Sequence, residues 1–374
     1  MRIAFDAKRA FNNTTGLGNY SRTLIAALEK GFPENDYFLF TPKVQEALYE
    51  VFTPGATIVL PQLSKHKLVP AYWRSWGLAQ QLAQHKVEIF HGLSNELPLN
   101  AHRFFCKNVV TIHDVLYLKH PKDFPAFDRF FYALKTKYAA KNADKITVNS
   151  TQTKEDLMRF LQVPEKKIEV IPHAINDVFC NHSSKEAIQL VREKYELPEH
   201  FILQPGSFLG RKNHALSIAA FASLVKKHNH LFLLFTGGGG NKEKQVLREV
   251  ALAGLQNKII VKKNIATTDM PALYSAAKMV LYPSLSEGFG LPILEAFASG
   301  VPVITSHGKV FEETGGNGAF YIDSSSVSDM LAAMETLLEH SEKRAAFIAN
   351  GKLQLQQFSA TEMAKKTMQL YSSL

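Results

Sequence analysis

Two glutamates eight residues apart stand in the run Ser286-Glu287-Gly288-Phe289-Gly290-Leu291-Pro292-Ile293-Leu294-Glu295-Ala296. Two glycines flank Phe289, and Pro292 falls where a helix would take its first turn. Glycine lets a backbone approach a ligand closely. A helix N-terminus offers N–H groups and partial positive charge to an anion. Carboxylates at Glu287 and Glu295 would accept hydrogen bonds from sugar hydroxyls. The plainer reading is a strand–turn–helix corner, with one solvated glutamate and one paired with the helix dipole. It accounts for neither the second glycine nor both carboxylates.

A second run, Gly206-Ser207-Phe208-Leu209-Gly210-Arg211-Lys212-Asn213, follows an apolar strand pattern. Arg211 and Lys212 are expected to open the next helix, where adjacent cations suit a diphosphate leaving group. A turn with two solvated cations fits this run alone slightly better. A third run, Thr15-Gly16-Leu17-Gly18-Asn19-Tyr20-Ser21, could present Gly16 and Gly18 amides to a phosphate. It fails as a dinucleotide fingerprint, because Ser21 replaces the last glycine and the next strand ends without an acid. His113, in Thr111-Ile112-His113-Asp114, ends another strand pattern. It is a candidate ligand contact, although a histidine beside a core strand is more often structural. No Asp-x-Asp, P-loop, G-x-S-x-G or H-E-x-x-H occurs, so no metal site is expected.

These runs need strands and helices to position them. Thirteen short apolar runs, from Arg2–Phe5 to Ala319–Ile322, alternate with helical patterns. Such alternation implies βαβ units and parallel sheets. Thirteen strands exceed one open sheet, so two doubly wound α/β halves are expected, with a seam near Pro172–Ser184. Ligands of such sheets bind outside the strands' carboxyl ends, and a cleft shared by the two halves is the expectation.

The composition excludes other classes. The 374 residues are 46% hydrophobic and 21% charged, which is globular. The net charge is +9, with 23 basic and 17 acidic residues in positions 1–180. That excess is too diffuse for a nucleic-acid stripe but suits an anionic ligand or membrane surface. Two cysteines, Cys106 and Cys180, point to a reducing compartment. Charges interrupt the N-terminus too early for a signal peptide, and no apolar run is long enough to span a bilayer. The segment Lys65–Trp76 sets both tryptophans among cations. It reads either as a core-packing helix or as a contact for membrane or lipid-linked acceptor.

With these motifs in hand, the chain resembles the retaining glycosyltransferases of family 4. The hallmark is Glu287-x7-Glu295 within PSLSEGFGLPILEAFASGVPVI, with GSFLGRKN, TIHDVLYLKHP, ITVNSTQTKEDL and TGLGNYSR in the family's order. The resemblance implies a GT-B fold of two Rossmann-like domains. Residues 1–175, with a returning helix 359–374, would bind the acceptor, and residues 176–358 the nucleotide sugar. Glu295 would hold the ribose, and Glu287 and His113 the donor sugar. Phe289, Gly290 and Leu291 would offer amides to sugar and phosphate. Arg211 and Lys212 would hold the diphosphate, with Gly206, Gly16 and Gly18 beside it. Glu313 occupies another position where the family often has glutamate.

The implied reaction moves a hexose of mannose or glucose type from a nucleoside diphosphate, GDP or UDP, to a saccharide or lipid-linked saccharide. It needs neither metal nor cofactor and would serve surface polysaccharide or lipopolysaccharide synthesis. The implied location is cytoplasmic, peripheral on the inner face of the plasma membrane, with no nucleic-acid partner. Three positions depart from the family pattern: Pro172-His173-Ala174, Lys262–Lys263 and Ala360. The rival readings are a non-catalytic GT-B binding subunit, an NAD-dependent oxidoreductase and a glycoside phosphorylase.

Overall fold

The computed structural model describes residues 1–45, 48, 55–61, 72–181, 183–239 and 242–374. They form two compact units, Met1–Asn176 with Phe358–Leu374, and Asp177–Gln357. The first unit carries β1 (Arg2–Asp6), β2 (Asp36–Phe40), β3 (Thr57–Val59), β4 (Ile89–Gly92), β5 (Lys107–Ile112), β6 (Lys145–Val148) and β7 (Ile168–Val170). The second carries β8 (Phe201–Pro205), β9 (Phe232–Thr236), β10 (Ile259–Lys262), β11 (Val280–Tyr282), β12 (Val303–Ser306) and β13 (Ala319–Ile322). Sheet order is β3-β2-β1-β4-β5-β6-β7 in one unit and β10-β9-β8-β11-β12-β13 in the other. Every neighbouring pair is parallel.

Helices cover both faces of each sheet, so central strands are buried throughout. β4 and β8 have no exposed residue, and their polar members His91 and Gln204 are buried along with the apolar ones. Among the described residues, four helices begin at a serine whose side chain satisfies one of their first amides. Ser150 Oγ accepts from Thr153 N–H, and Ser184 and Ser359 cap their helices likewise. The last helix, Ala360–Ser372, adds Met363, Ala364, Met368 and Tyr371 to a core built on Ile3, Phe5, Leu24 and Leu28.

A buried polar chain runs through the first unit. His91 Nδ1 meets the Tyr371 hydroxyl at 2.5 Å, and His91 Nε2 meets Thr111 Oγ1 at 2.8 Å. Thr111 continues to Tyr20 at 3.0 Å and Thr147 at 2.8 Å. Burial pushes His91 down to about 3 and His113 to about 4, and lowers His173 well below the ordinary value. These rings stay neutral in the folded unit while the unfolded chain takes up protons below pH 6.5. Their stabilisation is therefore whole above pH 6.5 and is lost as pH falls toward the folded values. His91 alone costs roughly 2 kcal/mol by pH 5. Thermal unfolding should show the midpoint falling between pH 7 and pH 5, and a midpoint equal at both would contradict the account.

Of the two readings of Lys65–Trp76, the core-packing one holds for Trp73. Residues 65–71 lie outside the described residues, but Trp73 is a core side chain, stacked on Phe40 and donating from Nε1 to Gln81 Oε1 at 2.6 Å. It is not an interfacial aromatic; Trp76 is half-exposed.

Candidate active site

In the second unit the chain winds outward in opposite directions from β8 and β11, which lie side by side. The crevice past their carboxyl ends is where such sheets bind ligands. The loop after β8 brings Arg211 and Lys212 there, and the loop after β11 brings Glu287. Arg211 Nη1 lies 2.6 Å from Glu287 Oε2, and Lys212 Nζ lies 2.7 Å from Glu287 Oε1. Hydrogen bonds to their carbonyls fix the backbone of both residues. The Leu285 N–H donates to Arg211 O at 2.7 Å, and Gln204 Nε2 donates to Lys212 O at 3.0 Å. Lys212 Nζ also lies 4.8 Å from the centre of the Tyr282 ring. Gly206 has φ +122, and a Cβ there would stand 3.4 Å from Lys212 Cε. The positive φ is what calls for glycine here, since the Cβ position itself is in ordinary contact with the lysine.

Arg211 and Lys212 do not open the next helix, contrary to the sequence expectation. They lie in the tight turn Gly210–Lys212, and the helix His214–Lys227 starts after Asn213, which has φ +56. This left-handed residue separates turn from helix and lets both cations face Glu287.

The charges do not cancel. Burial opposes ionisation of Glu287, but Lys212 and Arg211 outweigh it and hold the carboxyl below its usual range. Burial lowers the Lys212 pKa, and Glu287 only partly restores it. Two cations share one buried carboxylate, so an anionic group arriving here gains more than it would at a neutral pair.

Glu295 lies in the first turns of the helix Leu291–Ala298, with Pro292 at its start. The Tyr274 hydroxyl donates to Glu295 Oε2 at 2.5 Å. Burial raises the Glu295 pKa, while Tyr274 and Lys212 counter it. Phe289 is buried, Gly290 turns the chain at φ +150, and Leu291 begins the helix. Glu313 sits on the separate helix Lys309–Gly315. Sequence reasoning missed Tyr274 and Tyr282, which line the two glutamates; nothing in an isolated tyrosine marks such a role.

The first unit holds the remaining candidates. Gly16 begins the helix Gly16–Gly31, and the Gly18 N–H donates to Asn13 Oδ1 at 3.1 Å. His113 has both ring nitrogens engaged: Nε2 with Leu93 O at 2.8 Å and Nδ1 with His173 Nε2 at 3.1 Å. If Nε2–H donates to the carbonyl, His113 Nδ1 accepts from His173, whose ring stacks on Tyr20. The pairing depends on His173, where the sequence departs from the family pattern. Beside His113, near the junction of β1 and β4, is a cavity of about 220 Å³ lined by Arg9, Leu17, Asn95, Glu96 and Tyr132. Arg74 secures its wall, bridging Asp6 at 2.7 Å and Glu96 at 2.8 Å.

Two parallel doubly wound units, one with a cation-clamped carboxylate where its sheet changes direction, define a GT-B glycosyltransferase. Residues 14–179 match the model of Glycosyltransferase Family 4, and residues 188–354 that of Glycosyl transferases group 1. The chain belongs to this glycosyltransferase family. It is 26% identical to the O-antigen chain mannosyltransferase B of Escherichia coli, over all of both chains. It is also 26% identical to the O-antigen chain mannosyltransferase RfbU of Salmonella typhimurium, over 61% of this chain and 60% of that one. In fold it is similar to the Anabaena protein Alr3699/HepE, solved in complex with UDP-glucose, with a TM-score of 0.77, 18% identity and full coverage of both chains.

Proposed function

We propose that the protein is a retaining, metal-independent hexosyltransferase of the mannose type. It uses a nucleoside-diphosphate sugar and a lipid-linked saccharide of surface-polysaccharide assembly, at the cytoplasmic face of a membrane. The observation that carries the donor reading is the buried clamp of Arg211 and Lys212 on Glu287. The mannose reading is supported by the two mannosyltransferase relatives.

In the proposed reaction the acceptor hydroxyl attacks the anomeric carbon on the face the nucleotide leaves. The bond from that carbon to the diphosphate oxygen breaks, and the bond to the acceptor oxygen forms. The acceptor proton passes to the departing phosphate oxygen. Positive charge grows on the sugar, as in glycoside hydrolysis, and negative charge on the diphosphate. Arg211 and Lys212 answer the second charge in place of a metal, so turnover should survive EDTA. Glu287, released in part by the incoming phosphates, faces the sugar. The cavity beside His113 is the candidate seat for the acceptor's terminal sugar.

Thermal unfolding with GDP, UDP, ADP, CMP and NAD tests the donor reading. GDP or UDP should raise the midpoint by several degrees at about 100 times its dissociation constant, and NAD should not. Glu295→Ala should weaken the effective nucleotide about 10- to 100-fold, the scale of a charged hydrogen bond. Equal affinity in that variant would remove Glu295 from the nucleotide site.

A further inference from the structure

The helix Ala126–Asn142 in the first unit is amphipathic the wrong way round for a purely structural element. Its inward side is small or polar, with Thr136, Ala139 and Ala140 buried. Its outward side shows Phe127 at 73% exposure, Phe130 at 64% and Leu134 at 55%, with Phe131 between them. These four positions follow i, i+3, i+4, i+7 spacing and span an arc of about 100° on a helix of 3.6 residues per turn. Phe131 packs on both other rings, at centroid distances of 4.6 and 5.5 Å. The aromatics are thus one cluster rather than scattered surface residues.

Charge surrounds this cluster with one dominant sign. The helix carries Arg129, Lys135, Lys137 and Lys141 against the single acid Asp128, and Lys135 is paired with Glu96 at 3.3 Å. Lys137 and Lys141 continue the outward side by helical spacing. Beyond the helix end, Arg103 and Lys107 flank Phe105, which is 99% exposed. The Tyr138 hydroxyl donates to Leu99 O and meets His102 Nδ1 at 3.2 Å, which ties that loop to the helix.

Resting on the lipid-linked acceptor proposed above, we infer that this aromatic and basic face is where the protein docks on an anionic lipid bilayer. Aromatic rings enter the headgroup boundary while lysines and arginines meet lipid phosphates. A protein partner would not require the rim of like charge. The same helix turns Tyr132, Lys135 and Thr136 toward the cavity beside His113. An acceptor anchored in the bilayer would therefore meet its sugar pocket and its membrane contact on two sides of one helix.

The test is flotation of the full chain with vesicles of phosphatidylcholine alone or with 30% phosphatidylglycerol. The wild type should float with the anionic vesicles, less so at high salt. Phe127→Ser/Phe130→Ser and Lys137→Glu/Lys141→Glu should each lower the bound fraction about tenfold, with the unfolding midpoint and its response to GDP or UDP unchanged. Flotation of both variants at the wild-type level would overturn the assignment. So would a wild type that never floats while still responding to nucleotide. A concentration-dependent dimer abolished by the phenylalanine changes would assign the face to a second copy and overturn it too. Loss of the nucleotide response in the wild type strikes the donor reading instead.

Discussion

Lys212→Ala should lower kcat for sugar transfer by roughly 10²–10³-fold, and Arg211→Ala by a similar factor. Before substrate arrives, the Gln204 side chain and the Leu285 N–H hold the backbone of the two residues and the Glu287 carboxylate holds their side chains. Such preorganised cations stabilise charge that develops on the leaving diphosphate without having to rearrange. The loss should fall mainly on kcat, because the charge is larger in the transition state than in the bound donor. Lys212→Arg should recover little, since the site packs a slim ammonium against Tyr282 and Gly206. Full activity in both alanine variants would sink the diphosphate assignment.

Glu287→Gln should destabilise the ligand-free second unit by about 3–5 kcal/mol, because it leaves two buried cations beside each other with no counter-charge. For a unit of this size that is a fall of roughly 6–20 °C in unfolding midpoint. A nucleoside diphosphate should restore part of the loss, its phosphates taking the place of the missing carboxylate. Glu335→Gln is the control. Its Lys227 pair is on the surface, and its loss should stay within about 0.5 kcal/mol. An unchanged midpoint in Glu287→Gln would mean that the clamp contributes nothing before donor binding.

The strands were legible because both faces of a parallel sheet are buried, so β9 and β11 announce themselves as near-continuous apolar runs. The Glu287–Glu295 run was legible because its glycines and proline mark a strand–loop–helix corner within one local stretch. The clamp itself was not, since Arg211 and Glu287 are 76 positions apart and only the adjacency of β8 and β11 joins them. The helix start after Lys212 was misplaced because nothing in Lys212-Asn213-His214 shows that Asn213 turns left-handed. The His113–His173 bond was hidden for the reason that hid the clamp. The aromatics among cations drew attention to Trp73 and Trp76, but burial put Trp73 in the core and left the exposed face to Phe127, Phe130 and Phe131. Alternation of side chains cannot tell an outward aromatic from an inward one until the sheet beneath the helix is placed.

The most direct test is a calorimetric titration of the wild type and Lys212→Ala with GDP, UDP and the matching nucleosides. In the wild type the effective diphosphate should bind at least about 100-fold more tightly than its nucleoside, and Lys212→Ala should shrink that advantage about tenfold or more while leaving nucleoside affinity in place. An advantage of the same size in both proteins would contradict the claim that the clamped cations form the diphosphate site.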